Sequence, residues 1–213
     1  MGDPILLIFQ LLVLVLSVVV HELSHGYVAE RLGDPTARLA GRLTFNPLKH
    51  LDPFGSFMLP ALLWFLTGGQ MMFGWAKPVP YNPLNLKDPL AGGGKIAAAG
   101  PLSNFFIAAV FGILFRILSA SGFVTEFSAV LFSIVIYINI LLAVFNLVPI
   151  PPLDGSKVLF SVLPKKESSV RLAMFLERYG MALVIFFIFF GFDLILPIIN
   201  LLFRFIAGWG AAL

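Results

Sequence analysis

The stretch PILLIFQLLVLVLSVVVHELSHGYVAER, from Pro4 to Arg31, decides the architecture. From Pro4 to Val20 it carries no charge, and about 20 apolar residues in a helix are enough to cross a bilayer. The helical pattern continues through Glu30 and Arg31 to Gly33, a typical terminator. No basic residue precedes the apolar run and no small-x-small site closes it, so it reads as a retained span rather than a cleaved signal peptide. Inside it lies His21-Glu22-Leu23-Ser24-His25, a titratable cluster in a segment that otherwise avoids polarity.

The rest of the chain fits a membrane setting. Of its 213 residues, 59% are apolar and 12% charged, against roughly 25% charged in soluble domains. The mean hydropathy is +0.98. A water-soluble fold of this size could not hide so much apolar surface. Disorder, nucleic-acid binding and fibrous repeats are excluded as well, since each needs polar or periodic sequence. The net charge of +3 comes from 14 Lys and Arg scattered between apolar runs, which act as topology signals rather than a polyanion site. With no cysteine there are no disulfides, thiolate metal sites or cysteine nucleophiles. Any metal must be held by carboxylates and the three histidines, His21, His25 and His50.

Working outward, uncharged runs at 96–115 and 127–153 give two more spans, and 179–192 with 194–212 gives a tight helical pair turning at Asp193. Residues 53–76 are uncharged but interrupted by Pro60 and Gly68-Gly69. The expectation is an all-α polytopic membrane protein with about five to six transmembrane or re-entrant helices. A short extended segment is expected within the Pro-rich 74–83. The whole chain, 1–213, forms one membrane-embedded domain, with a core at about 4–163 and the helical pair at about 177–212.

Basic residues follow the first span (Arg31, Arg38, Arg42, Lys49) and the 127–153 span (Lys157, Lys165, Lys166, Arg171, Arg178), while 119–127 has none. The first helix therefore runs from outside to cytosol. Lys77, Lys87 and Lys95 also prefer the cytosol, so residues 53–76 return to their starting face as a re-entrant hairpin.

Histidines four apart project from one helical face and can grip one metal ion, with Glu22 beside them to take a proton from bound water. The ordinary reading, two interfacial histidines bonding neighbouring helices, leaves the cost of placing them in a membrane unexplained. A catalytic zinc site needs a third protein ligand and an open fourth position. His50, in a Pro-flanked loop, and Asp154 are the candidates. Asp154 follows Pro149, Pro151 and Pro152, which break the helix and oblige the kink to be buried in protein. Its competing role is an N-cap for the next short helix. His21 lies roughly 15 Å inside the cytosolic end of its helix, so a polar cavity must bring water to it.

These residues resemble the site-2 protease family of intramembrane zinc metalloproteases. His21, Glu22 and His25 match its His-Glu-x-x-His motif. Asn146, Pro149, Pro151, Asp154 and Gly155 match Asn-x-x-Pro-x-Pro-x-x-Asp-Gly. Gly100-Pro101-Leu102-Ser103-Asn104 and residues 74–83 are similar to further family elements. The resemblance implies one zinc ion on His21, His25 and Asp154, with Glu22 as catalytic acid/base. It also implies a zinc metalloendopeptidase that cleaves single-span transmembrane proteins in regulated intramembrane proteolysis. The sequence leaves no room for extra soluble domains, which points to a compact form in a prokaryotic inner membrane, its site opening to the cytosol.

Other residues carry secondary expectations. Asn146 supports substrate or oxyanion, whereas Asn139, on the same helical face, serves as helix–helix glue. Asn104 is mainly structural, with catalytic support as its second role. Gly92-Gly93-Gly94-Lys95 lacks the spacing of a phosphate loop and reads as a flexible joint. Residues 77–81 either pair with unwound substrate by strand addition or form a packed loop. The rival functions are a membrane metal transporter, which needs no acid between the histidines, and a catalytically silent scaffold.

Overall fold

The computed structural model describes residues 3–66, 68 and 74–208. Its α-helices follow in order as α1 (Pro4–Arg31), α2 (Thr36–Leu39), α3 (Leu59–Leu66), α4 (Pro89–Ala120), α5 (Glu126–Asn146), α6 (Asp154–Val162), α7 (Glu167–Phe186) and α8 (Leu196–Ala207). Among the described residues, four helical stretches are long and apolar enough to cross a membrane: α1, α4, α5 and the run Glu167–Leu194 that begins with α7. Two shorter apolar helices, Pro53–Leu66 and Leu196–Ala207, accompany them.

Local chemistry explains the boundaries. Asp3 caps α1 by accepting from the Ile5 N–H at 2.9 Å, with Pro4 at the first position, where no N–H is needed. Asp88 does the same for α4, accepting from the Leu90 and Ala91 N–H groups ahead of Pro89. Thr125 and Ser128 form a reciprocal capping box at the start of α5. The core lies where α4, α5 and α8 meet: Ala108, Ile136, Ile140, Ile199 and Phe203 are almost wholly buried there.

Several elements differ from the sequence expectations. Gly92, Gly93 and Gly94 are not a flexible joint but lie inside α4, because the Asp88–Pro89 start lies upstream of them. The glycine at position 94 serves packing: a Cβ there would collide with the Ser161 side chain of α6. Helix α5 stops at Asn146 instead of running to 153, since Pro149, Pro151 and Pro152 cannot continue it. Helix α7 starts at Glu167, ten residues before the expected 177, as its polar first turns remain helical outside the apolar run. Asp193 does sit at the turn between α7 and α8, in a 3-10 turn at Phe192–Leu194. No strand forms among the described residues, and 74–82 is irregular chain. Its prolines at 78 and 80 remove the donors a ladder would need.

The 53–76 segment begins with a π-type stretch, Pro53–Met58, leading into α3. Its two ends meet. The Trp75 N–H donates to Gly55 O at 3.1 Å, and the Ser56 hydroxyl donates to Trp75 O at 2.9 Å. The Gly68-Gly69 pair falls partly outside the described residues.

Candidate active site

The two histidines of α1 sit one turn apart, both buried, with ring centroids 4.7 Å apart and planes at 88°. Helix α4 approaches them at Gly100, where a Cβ would come within 2.5 Å of His21 Nε2 and 2.6 Å of His25 Cε1. No larger residue fits that crossing without pushing the rings aside. In the turn before Pro101, the Ile96 carbonyl accepts the His25 Nδ1 proton at 2.7 Å. A carbonyl can only accept, so His25 presents its Nε2 lone pair to the other side.

His21 is fixed by a buried relay. Its Nδ1 donates to Asn104 Oδ1 at 2.6 Å. The Asn104 amide donates to Asn139 Oδ1 at 2.9 Å, and the Asn139 amide donates to Ser17 Oγ and Val135 O, both at 2.9 Å. Asn104 and Asn139 are fully buried. Asn139 is therefore more than glue: its carbonyl orients the Asn104 amide, and the Asn104 carbonyl sets which His21 nitrogen carries the proton.

Asp154 completes the cluster. It is the first residue of α6, whose N-cap is Leu153 with no side-chain cap bond, so the carboxylate is not spent on capping. Asp154 Oδ2 lies 3.0 Å from His21 Nε2 and 3.2 Å from His25 Nε2. With both protons on Nδ1, two imidazole lone pairs and a carboxylate oxygen face one another with no hydrogen between them. Such a convergence calls for a cation. Zinc bonds of 2.0–2.2 Å place tetrahedral donors roughly 3.4 Å apart, which matches these separations. Candidate ligand atoms of His21, His25 and Asp154 all lie within 4.8 Å of one another.

His50 is outside the cluster: its Nε2 donates to Thr44 O at 2.8 Å and the ring is buried among loops. In zinc-loaded protein, ¹⁵N spectra should accordingly show metal on Nε2 and the proton on Nδ1 for His21 and His25, but a proton on Nε2 for His50. Asn104→Leu should weaken zinc binding by about 10- to 100-fold, measured by competition with a chromophoric chelator.

A cavity of about 620 Å³ adjoins the cluster. His21, Glu22 and Asn146 supply polar wall; Val18, Leu142, Phe145, Met181 and Val184 supply apolar wall. Asn146 reaches the cavity but donates to Leu142 O of its own helix at 2.9 Å, with one amide hydrogen left over. Glu22 Oε2 accepts the Val79 N–H at 2.8 Å. That bond, together with those of Lys77 and Pro78 to His50 and Arg42, engages four of the backbone groups of 77–81: the Lys77 and Val79 N–H and the Lys77 and Pro78 carbonyls.

Two residues that hold this segment carry no sequence signal beyond their type. Arg42 lies in a run of basic topology markers, and Asp34 in an ordinary Gly-Asp-Pro turn. Asp34 has no exposed surface. It accepts from the Thr36 hydroxyl and N–H, the Asn82 N–H and the Asn85 amide, tying the end of α1 to 82–85. Burial alone would raise its pKa, but these donors outweigh it and hold the carboxyl below the ordinary 3.8.

The matches to known proteins agree with this centre. Residues 9–130 and 120–187 match the model of peptidase family M50, the site-2 protease family. The chain belongs to that family. It is 39% identical over 200 residues to "Putative zinc metalloprotease YwhC" of Bacillus subtilis, covering 90% of this chain and 86% of that protein. It is 32% identical over 160 residues to "Putative zinc metalloprotease MJ0611" of Methanocaldococcus jannaschii, 71% of this chain and 72% of that protein. A second protein of that organism, "Zinc metalloprotease MJ0392", is 26% identical over 193 residues, 90% of this chain but 45% of its own length. No solved structure matches. As a member of this family with four apolar spans among its described residues, the chain is a multi-pass membrane zinc metalloprotease, and its family acts on membrane protein substrates.

Proposed function

We propose that this protease hydrolyses peptide bonds within or near the transmembrane segments of single-span membrane proteins. His21, His25 and Asp154 hold one zinc ion, and Glu22 is the catalytic acid/base. The observation that carries this reading is the convergence of His21 Nε2 and His25 Nε2 on Asp154 Oδ2, beside a carboxylate on the wall of an apolar cavity. Bound zinc would supply a Lewis acid that acidifies water and polarises the scissile carbonyl.

The chain's own residues do the rest. Glu22 takes the proton of the attacking water and returns it to the leaving amine. The free amide hydrogen of Asn146 donates to the oxyanion. The relay through Asn104, Asn139 and Ser17 keeps His21 in the tautomer that ligation requires. Val18, Phe145 and Met181 receive the apolar side chains flanking the cut. The cavity faces the cytosolic side, where the basic residues after α1 and α5 lie, in a cell membrane of prokaryotic type.

A helical substrate hides its carbonyls in intrahelical hydrogen bonds, so the span must unwind before attack. Single-span test proteins carrying Gly, Pro or Asn near the centre should be cut at least tenfold faster than a uniform poly-Leu span of equal length. The measurement is product formation by the zinc-loaded protein in liposomes. Equal rates for the two would remove the unwinding step.

A further inference from the structure

The chain from 74 to 80 lies against α1 beside Glu22, and no regular element sets its path. Pro78 and Pro80 have no N–H, so between Lys77 and Tyr81 the one backbone donor is that of Val79. That single N–H is the group bonded to Glu22 Oε2. Two contacts hold the chain in register. The Lys77 N–H donates to His50 O at 2.9 Å. From the other side, Arg42 Nη2 donates to Lys77 O at 2.7 Å and to Pro78 O at 3.3 Å.

Arg42 is 7% exposed. Among the described residues no carboxylate pairs with it, and its Nε–H has no partner. A buried cation without a counter-charge is costly, so its use calls for an account other than ion pairing. What it touches supplies one: the two carbonyls immediately before the Val79 donor, both reached by one charged nitrogen, Nη2.

We propose that Arg42 is a positioning residue for Glu22. It fixes the path of the chain at 77–79 so that the Val79 N–H holds one carboxylate oxygen, leaving the other for proton transfer. The proposal rests on the reading of Glu22 as the proton carrier, and it gives a role to a residue that touches neither ligand nor substrate.

The test compares wild type, Arg42→Lys, Arg42→Gln, Val79→Pro and the Arg42→Gln/Val79→Pro double variant. Each is used full length and zinc-loaded in liposomes with a cleavable single-span protein. Arg42→Gln should keep one zinc and its melting temperature while kcat falls about 10- to 100-fold and KM stays within about twofold. Arg42→Lys should recover part of the loss. Val79→Pro should match Arg42→Gln, and the double variant should be no worse than the more severe single one. Independently of activity, exchange of the Val79 amide hydrogen should quicken in Arg42→Gln. This last measurement decides the matter if Val79→Pro does not fold. A loss carried by KM alone, multiplicative losses in the double variant, or a Val79 amide still protected in Arg42→Gln would each overturn the proposal. Cleavage by Glu22→Gln would instead overturn the reading of Glu22, and the amide exchange would still report on Arg42.

Discussion

Glu22→Gln should bind one zinc ion as tightly as wild type and cleave about 10²- to 10⁴-fold more slowly, the usual contribution of a general base. The substitution is close to isosteric, and the glutamine carbonyl can still accept from the Val79 N–H now bonded to Oε2 at 2.8 Å. What is lost is the charge and the ability to carry a proton. Zinc content by atomic absorption and product formation in liposomes are the two measurements. They separate the functional alternatives: a metal carrier would transport equally well with glutamine, a silent scaffold would show no wild-type rate to lose, and a protease loses its rate with its metal in place. A variant that cleaves at the wild-type rate would end the proposed mechanism.

The second large effect comes from a residue with no side chain. Gly100→Ala should reduce cleavage by about 10²-fold or more and weaken zinc binding although every ligand remains. An added methyl would lie 2.5–2.6 Å from His21 and His25 ring atoms, so the rings must shift by about 1 Å to reach ordinary carbon contact. Gly93→Ala on the same helix is the control. Its Cβ would meet only the Tyr81 hydroxyl oxygen at 3.5 Å, an ordinary contact, and alanine is the better helix former. Zinc titration of the two variants side by side should give a defect in the first alone. Equal zinc affinity in both would show that α4 does not constrain the rings.

Much of the fold and of the candidate metal cluster is legible in the amino-acid sequence. The uncharged run before His21 marks the first span, and two histidines four apart must share one helical face whatever the tertiary fold. Prolines 149, 151 and 152 announce the break that delivers Asp154, although not that α5 ends as early as Asn146. The glycines at 92–94 mislead because, in sequence, a residue that grants flexibility and one that permits close packing are the same residue. The link from Asn104 through Asn139 to Ser17 is partly hidden, since each is an ordinary polar residue until three helices bring them together. Arg42 is hidden altogether: its partners are backbone carbonyls 35 and 36 residues away, and carbonyls carry no sequence signature.

The string of amides from Ser17 to His21 crosses α1, α4 and α5, and in a lipid setting no water stands ready to replace any member of it. Sliding α4 against α5 by even a fraction of a helical turn would break the Asn104–Asn139 bond and leave the His21 ring free to rotate. Ion loading and the mutual registry of the spans thus become one cooperative property. A zinc ion held by His21, His25 and Asp154 would act as a rivet through the bundle, and stripping it with a chelator should loosen the very helices that shape its seat.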